Sequence, residues 1–480
     1  MKTTRIVCSL LAMCMLLSCV SGCALIEGLL GPTEPAAKEN PGYSTAVPVY
    51  ADDKQLELFI FWMPPIEEQQ YIWMKEYGVT AMLVDGQYSS ATEENRKKIL
   101  ALCEKYDIDA YFHIDRERDG SGVASYAPYL SYSSFAGFFC DEPITKTHVD
   151  NIADQAQKAY ELDPKLRMVC NMLGAYGNFR WWYSTDAAYE SALATGEIFM
   201  NYEDYVSYVK KTVYEAHNNT ILSATNYPLS DYEKGYETTL DKNWLNVLGN
   251  SRQTADATGR EMWQFLTLTA YHGGDKSYYH RQPNEADIRW MSYAALAYGV
   301  QSLEHFMYST AGAGIEFDED DHGAIWWTDK NDYSTYYRTE TYYAGQAVNQ
   351  ELFKFDHMLL SFDWQGVLCH NVKNDPSIIS VFRNAVGRLN KHQRIEKIDS
   401  TGDLIVGCFK DANDYDGFMV VNFTETANNN QEENNISITF DYATKALVYI
   451  KGEEQLVDLT DHKFTYTLLP GEGFFIIPVA

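Results

Sequence analysis

The chain has 480 residues, of which 67 are acidic and 38 are Lys or Arg, and its net charge is −29. This charge disfavours nucleic acid and anionic lipid surfaces as partners, because both bind clustered Lys and Arg side chains. The length suffices for two or three domains, each with its own core. Aromatic residues make up 14% of the chain, which suits either ordinary packing or the stacking of sugar rings on aromatic side chains.

The N-terminus has the pattern of an export signal. A basic start precedes the apolar stretch 7–20, which is too short to span a membrane as a mature helix. The small residues directly before Cys23 resemble a bacterial lipobox, in which the cysteine is lipidated and becomes the first mature residue. We therefore predict export and a lipid anchor at Cys23 on the outward face of the bacterial cell membrane. Cys19 is a weaker alternative site, and an ordinary secretory signal is the other interpretation.

The next segment, residues 24–54, contains four prolines and many small or polar residues. This composition predicts a flexible tether with no core of its own. The sequence thus divides into a signal peptide at 1–23, the tether at 24–54, and two folded domains at 55–362 and 363–480.

The first folded domain, 55–362, shows eight short apolar runs that alternate with helical patterns. Strands that are apolar throughout and alternate with helices predict a parallel sheet covered on both faces. Eight of them predict an α/β fold, a (β/α)8 barrel (TIM barrel). The predicted strands are 56–62, 78–86, 107–115, 135–143, 166–172, 220–228, 261–269 and 300–309.

The second folded domain, 363–480, shows short alternating runs separated by turn residues, and no helical period lies between them. This pattern predicts an antiparallel β-sandwich of about eight strands. The predicted strands are 366–372, 377–383, 404–410, 417–423, 436–442, 446–452, 463–469 and 473–480.

Polar residues occur where the predicted barrel strands end. Functional side chains of such barrels collect at the C-terminal ends of the strands and in the loops that follow. The sequence therefore predicts a ring of substrate-binding residues around one mouth. Its candidates are Asp85, His113, Asn171, Asn226, Tyr227, Gln264 and Tyr308 on the strands, and Trp181, Trp182, His280 and Arg281 in the loops.

Two adjacent acids follow the fourth predicted strand in the stretch FFCDEPITKT, residues 138–147. One interpretation is helix capping, because Asp suits an N-cap and Pro an early helical position. That explanation accounts for Asp141 but does not require Glu142. A second carboxylate beside the first, partly buried at a strand end, has the placing of a general acid with a raised pKa. We predict catalytic roles for Glu142 and Asp141, and for Asp115 at the end of strand three.

The run GFFCDEP resembles a group of bacterial glycoside hydrolase-like lipoproteins with a DEP motif after strand four. These are related to the clan A (β/α)8 glycosidases, with an architecture like that of family 42. Further stretches agree with this resemblance, which covers nearly all of 56–480. They are ATNYPLSDY, EMWQFLTLT, EADIRWMSYAALAYGVQSLEHFMYS, YYAGQAVNQEL, GFMVVNF and LLPGEGFFIIPV.

The resemblance implies two catalytic glutamates, and here the chain departs from it. Retaining enzymes of this clan carry an acid/base Glu after strand four, preceded by Asn, and a nucleophile Glu at the end of strand seven. In this sequence Asp141 precedes Glu142, and strand seven offers Gln264 at the expected inward position. The second carboxylate must come from elsewhere. The candidates are Asp85, Asp115, Glu203, Asp204, Glu304 and Glu316.

Motifs for other chemistries are absent from the sequence. It has no phosphate-binding Gly loop, no GxSxG and no HExxH, so we expect no cofactor and no resident metal. A calcium site in the acidic stretch that holds Asp318, Asp320 and Asp321 is a minor alternative to a solvated loop. The five cysteines after Cys23 are widely spaced in apolar runs and predict buried free thiols.

These observations favour a glycoside hydrolase that acts on oligo- or polysaccharides at the cell surface, with Glu142 as general acid. The alternative is a non-catalytic carbohydrate-binding lipoprotein on the same scaffold. The sequence leaves open the sugar, the linkage, the stereochemistry and the oligomeric state.

Overall fold

A computed structural model describes residues 40–86, 88, 90–174, 180, 183–229, 240–272, 279–309, 322–329, 331–424, 426 and 430–480. The chain divides into two units, Met1–Gly42 and Tyr43–Ala480, and the account below concerns the second. Several residues predicted from the sequence lie outside the described residues. They are Cys19, Cys23, Trp181, Trp182, Glu316, Asp318, Asp320 and Asp321.

Eight parallel strands close into a barrel in which each strand pairs with the next and the eighth pairs with the first. The predicted (β/α)8 fold is therefore confirmed. The strands are β1 (Glu57–Ile60), β2 (Ala81–Val84), β3 (Asp109–His113), β4 (Phe135–Asp141), β5 (Arg167–Met172), β6 (Thr220–Ala224), β7 (Met262–Thr267) and β8 (Ser302–Phe306).

Helices connect most of these strands on the outside of the barrel. Between β3 and β4 a 3-10 helix, Gly120–Tyr129, takes the place of an α-helix. The α-helices in the described part of the chain are α1 (Glu68–Tyr77), α2 (Glu93–Tyr106), α3 (Lys146–Leu162), α4 (Asp186–Thr195), α5 (Tyr202–Val209), α6 (Trp244–Thr258), α7 (Glu285–Leu296), α8 (Glu340–Leu352), α9 (Asp356–Leu359) and α10 (Pro376–Asn384).

Aromatic side chains fill the inside of the barrel. The rings of Phe59 and Phe139 stack with centroids 5.4 Å apart, and Trp263 packs at 5.5 Å from Phe59. Below this layer, at the N-terminal end of the strands, Arg167 pairs with Glu261 at 2.6 Å. The barrel is thus closed at one end by packed rings and an ion pair, and its polar opening is at the other end.

The C-terminal domain consists of a six-stranded and a three-stranded antiparallel sheet. Apolar side chains from both sheets form a shared core, so the predicted sandwich is confirmed. The larger sheet has the order β9-β11-β12-β17-β14-β15, and the smaller one β10-β13-β16. The strands are β9 (Phe362–His370), β10 (Ile395–Ser400), β11 (Leu404–Asp411), β12 (Asp416–Asn422), β13 (Asn434–Phe440), β14 (Lys445–Ile450), β15 (Glu453–Asp458), β16 (Lys463–Leu468) and β17 (Gly473–Val479).

One predicted strand of this domain is wrong. Residues 377–383 belong to α10, whose N-cap Asp375 accepts a hydrogen bond from the Ser377 amide and is followed by proline. Ile378, Val381 and Phe382 are buried on one face of α10, the i, i+3, i+4 spacing of a helix. The prediction also lacked β10 and β15, in which half of the side chains are charged and none is fully buried.

The sandwich packs directly against the barrel. Trp364 donates its indole N–H to the Ala297 carbonyl at 3.1 Å and stacks on Tyr298 with ring centroids 5.7 Å apart. Phe409 and Phe475, on one face of the six-stranded sheet, belong to the same core as the barrel helices. The two predicted domains therefore form one packed unit.

Part of the segment expected to be a tether is docked on the sandwich. Tyr43 is buried, donates its hydroxyl to Asp441 at 2.5 Å and lies beneath the Arg394 guanidinium, 4.3 Å from its ring centroid. The Ala480 amide donates to the Ser44 carbonyl at 2.8 Å. The prediction of a coreless tether is thus wrong from Tyr43 onward, because an aromatic ring and a terminal strand hold the chain there.

Four of the five cysteines after Cys23 are buried free thiols, as predicted, and Cys369 is half-buried. Among the described residues, no helix combines the length and the apolar character needed to cross a membrane.

Gly137 permits the close approach of β4 and β5. Its φ is +155°, and a Cβ there would lie 2.0 Å from the Arg167 carbonyl oxygen. We expect Gly137→Ala to lower the free energy of unfolding by about 3 kcal/mol, because the strands must separate to admit the methyl group. Thermal unfolding measures this change. Gly122→Ala is the control, since nothing lies within 4 Å of its added Cβ. Equal midpoints for the two variants would contradict the prediction.

Candidate active site

The end of β4 places two adjacent acids at the mouth of the barrel. Phe139 belongs to the interior core, so Asp141, two residues further on, faces the same way. Glu142 has φ +38°, which ends the strand, and its amide donates to the Asn171 carbonyl at 3.0 Å. Arg116 Nη1 donates to the carbonyls of Asp141 and Glu142 at 2.9 and 2.7 Å. The backbone at the acid pair is therefore held from two sides.

The helix-capping interpretation of this motif is wrong. Helix α3 begins at Lys146, and its N-cap is Thr145, whose hydroxyl accepts a hydrogen bond from the His148 amide at 3.1 Å. Asp141 ends a strand four residues earlier. Neither acid is needed to begin the helix, so their side chains are available for another role.

A hydrogen-bonded group of side chains connects Asp141 to the barrel wall. Asn171 Nδ2 donates to Asp141 Oδ1 at 2.7 Å. The hydroxyl oxygens of Ser223 and Thr225 each lie 3.0 Å from Asn171 Oδ1. Ser223 Oγ also lies 2.5 Å from Oε2 of Glu304. Asn171, predicted from the end of strand five, and Glu304, a candidate second carboxylate, are thus brought together with Asp141.

Burial and mutual repulsion shift the titration of the acid pair. Burial raises the pKa of Glu142 to about 8, helped by the charge of Asp141 and opposed by Arg116. Burial also raises the pKa of Asp141, while the Asn171 hydrogen bond and His113 oppose that rise. Surrounding protein atoms lower the pKa of His113, against the charge of Asp141. At neutral pH Glu142 is therefore largely protonated, beside a carboxyl group that a donor stabilises as an anion.

An aromatic wall lies at the C-terminal ends of β6 and β8, the end of the barrel that also carries the acids. Tyr227 packs against Phe306 with ring centroids 5.3 Å apart and against His280 at 5.8 Å. His280 Nδ1 lies 2.9 Å from the Leu229 carbonyl, and burial lowers the pKa of His280 to about 4. The neutral ring is part of the wall. Tyr227 and His280, both predicted from the sequence, therefore lie at the mouth.

Sequence reasoning missed Trp62 and Arg116. Trp62 follows β1 with φ +62°, is half-buried, and lies 5.7 Å from the Phe306 ring centroid. An aromatic residue at the end of a strand and directly before Met-Pro-Pro was the available signal for Trp62. The contacts of Arg116 had no comparable signal, because its partners are main-chain carbonyls of another strand.

Two predicted residues face away from the mouth. Met262 and Leu266 of β7 pack in the core between strands and helices, whereas Trp263 and Phe265 fill the barrel interior. Gln264 shares the outer face by alternation, so the expected inward placement is wrong. Tyr308 is also outside the barrel, where it packs on Tyr77 and Tyr342.

Local structure engages the guanidinium of one predicted residue, the carboxylate of a second and the main-chain carbonyl of a third. Arg281 makes two hydrogen bonds, at 2.6 and 2.7 Å, to the buried carboxylate of Asp287 in the first turn of α7. Asp115 is exposed and accepts from the Glu117 amide at 2.9 Å within a turn. Asp85 is half-buried at the rim, and its carbonyl accepts from the Ser90 hydroxyl.

The remaining candidates lie at the edge of the site. Asn226 is buried beside Asp241. Burial raises the pKa of Asp241, and its hydrogen bond with Asn226 opposes part of that rise. Glu203 and Asp204 are exposed in the first turn of α5. Among the described candidates for a second carboxylate, Glu304 is the one that side-chain hydrogen bonds connect to Asp141.

Comparison with known proteins gives similarity of low degree. No protein-family model and no curated protein sequence matches the chain. Among solved structures, an alpha-L-fucosidase isoenzyme 2 from Paenibacillus thiaminolyticus matches at 7% identity and a TM-score of 0.46, over 89% of this chain and 100% of that one. A GH30 endoxylanase from Clostridium papyrosolvens C71 matches at 10% identity and 0.41, over 90% and 97%.

An HpcH/HpaI aldolase from Desulfitobacterium hafniense DCB-2 also matches, at 10% identity and a TM-score of 0.31, over 52% of this chain and 86% of that one. At such identities these matches do not assign an activity to this chain. The barrel assignment rests on its own strand pairing.

Proposed function

We propose that the protein is a glycoside hydrolase whose centre is the acid pair Asp141 and Glu142. The observation that carries this proposal is the position of the pair: two adjacent carboxyl groups at the C-terminal end of β4, at the mouth of a closed barrel. One of them, Glu142, has a pKa of about 8. Glycoside hydrolysis requires a protonated acid of this kind to protonate the leaving oxygen.

In the proposed reaction Glu142 gives its proton to the glycosidic oxygen as the bond to the anomeric carbon breaks. A water supplies hydroxide to that carbon, and its other proton passes to a base that we leave unassigned. Asp141, held by the amide of Asn171, binds sugar hydroxyls or stabilises the positive charge that develops on the ring. The half-buried ring of Trp62 offers an apolar face against which a sugar can pack.

A non-catalytic carbohydrate-binding protein is the second candidate. It is favoured by the burial of Glu304 and by the outward placement of Gln264. Because Glu304 is buried and Gln264 faces outward, the described residues do not reproduce the two catalytic glutamates of the clan that the sequence resembles. Binding requires only the aromatic wall and polar groups at the mouth.

Replacement of the proposed acid separates these two functions. We expect Glu142→Gln to lower kcat/KM on a panel of aryl glycosides and oligosaccharides by roughly 10²–10⁴-fold, the usual contribution of a general acid. Glu117→Gln is the matched control, because this glutamate is exposed and pairs with His148 at 3.0 Å. Hydrolysis by wild type that persists in Glu142→Gln would contradict the role of Glu142. Binding without hydrolysis by wild type would favour the second candidate.

The pH dependence gives an independent check. Because only protonated Glu142 can act as the acid, kcat/KM should fall as the pH rises through about 8. Initial rates from pH 5 to pH 10 at subsaturating substrate would show this basic limb. The residual activity of Glu142→Gln should lack it, since the amide does not titrate in this range. An identical limb in both proteins would assign the titration to another group.

We propose, from the sequence alone, that the protein is exported and lipid-anchored at Cys23 on the outward face of the bacterial cell membrane. Expression in a bacterium fed an alkyne-labelled fatty acid should give a labelled, membrane-associated protein. Cys23→Ala should be unlabelled. Cys19→Ala is the control and should retain the label. Labelling that is lost only in Cys19→Ala would move the anchor to Cys19, and an unlabelled, secreted wild type would indicate an ordinary signal peptide.

A further inference from the structure

Glu304 is a buried acid in the barrel wall whose role the proposed reaction does not define. It lies on β8 two residues before Phe306, which belongs to the interior core, so it faces inward. Its side chain is fully buried. Oε2 contacts Ser223 Oγ at 2.5 Å, while Oε1 has no hydrogen-bond partner in the structure. An acid with half of its carboxyl group unpaired and buried requires an explanation.

The number of protons in the chain of contacts determines its direction. Asn171 presents Nδ2 to Asp141, so its Oδ1 faces Ser223. The Ser223 hydroxyl lies close to two oxygens, Asn171 Oδ1 and Glu304 Oε2, but it has a single proton to donate. Both contacts are hydrogen bonds if Ser223 donates to Asn171 and accepts from a protonated Glu304. If Glu304 were ionised, Ser223 would donate to Glu304, and Asn171 Oδ1 would keep the hydroxyl of Thr225 as its donor.

The charges around Glu304 favour the protonated form. Among the described residues, the ionisable groups that act on it are Asp141 at the mouth and Glu57 on β1, and both are acids. Burial and these neighbours raise the pKa of Glu304 well above its ordinary value, against the Ser223 hydrogen bond. An anion buried without a cation would be costly. The Arg116 cation acts on Asp141 instead.

We propose that Glu304 is a positioning residue: it remains a neutral carboxylic acid, and its proton fixes the direction of the hydrogen bonds through Ser223 and Asn171 to Asp141. This direction holds the Asn171 N–H toward Asp141, which favours the Asp141 anion at the mouth. The consequence for catalysis rests on the proposed function, whereas the protonation state of Glu304 does not.

Infrared spectroscopy tests the protonation state directly. In D2O at pH 7, the difference spectrum between wild type and Glu304→Gln should contain the C=O stretching band of a protonated carboxyl group. Carboxylate bands in its place would overturn the proposal. Glu304→Gln is suitable because its amide N–H can donate to Ser223 as the carboxyl O–H does, so the chain keeps its direction and the protein should retain its fold.

Activity tests whether the chain positions Asp141. We expect Glu304→Gln to retain kcat/KM within about threefold, whereas Ser223→Ala, which interrupts the chain, should lose about tenfold. The acid limb of the pH profile should also move to higher pH in Ser223→Ala, because Asp141 loses part of its stabilisation as an anion. An unchanged acid limb in Ser223→Ala would overturn the positioning role. Wild type without glycosidase activity would instead reject the proposed function, and the infrared result would still decide the state of Glu304.

Discussion

Closure of eight parallel strands into one barrel is the constraint on which the rest of this structure depends. All eight strands point the same way, so their C-terminal ends meet around one mouth, and residues far apart in the chain become neighbours. Asp141 on β4, Asn171 on β5, Ser223 on β6 and Glu304 on β8 form one hydrogen-bonded group for this reason. The aromatic layers below them exclude water, which strengthens the electrostatic interactions among these side chains.

Burial raises the pKa of all three acids at this site, Asp141, Glu142 and Glu304, but their neighbours differ. Glu142, beside an anion and partly shielded from water, titrates at about 8 and can serve as a proton donor. Asp141 is half-buried as well, but it accepts an amide N–H that favours its charged form. The ionisable groups that act on Glu304 within the described part of the chain are acids, and it is favoured as a neutral acid. One polar group thus combines proton donors and an anion, as acid–base chemistry at neutral pH requires.

The outcomes of particular predictions show where sequence patterns are informative. The alternation of apolar runs and helices predicted all eight barrel strands, because burial on both faces leaves a continuous apolar signal. The same criterion misassigned α10, since apolar residues at i, i+3 and i+4 over nine residues resemble a short strand when the cap is overlooked. The resemblance placed Gln264 inward, and a strand buried on both faces has no polar alternation that could have corrected this placement.

The sequence by itself determined the fold class, the two-part architecture and the acid pair after strand four, because local periodicity and a short motif carry that information. Only the tertiary structure decided which acids share a site. It assigned Arg281 to Asp287 and Asp115 to a turn, and it connected Glu304 to Asp141 through residues on two intervening strands. The successive contacts from Asp141 to Glu304 join residues 30, 52 and 81 positions apart, so they depend on barrel closure and strand register, which no local pattern encodes.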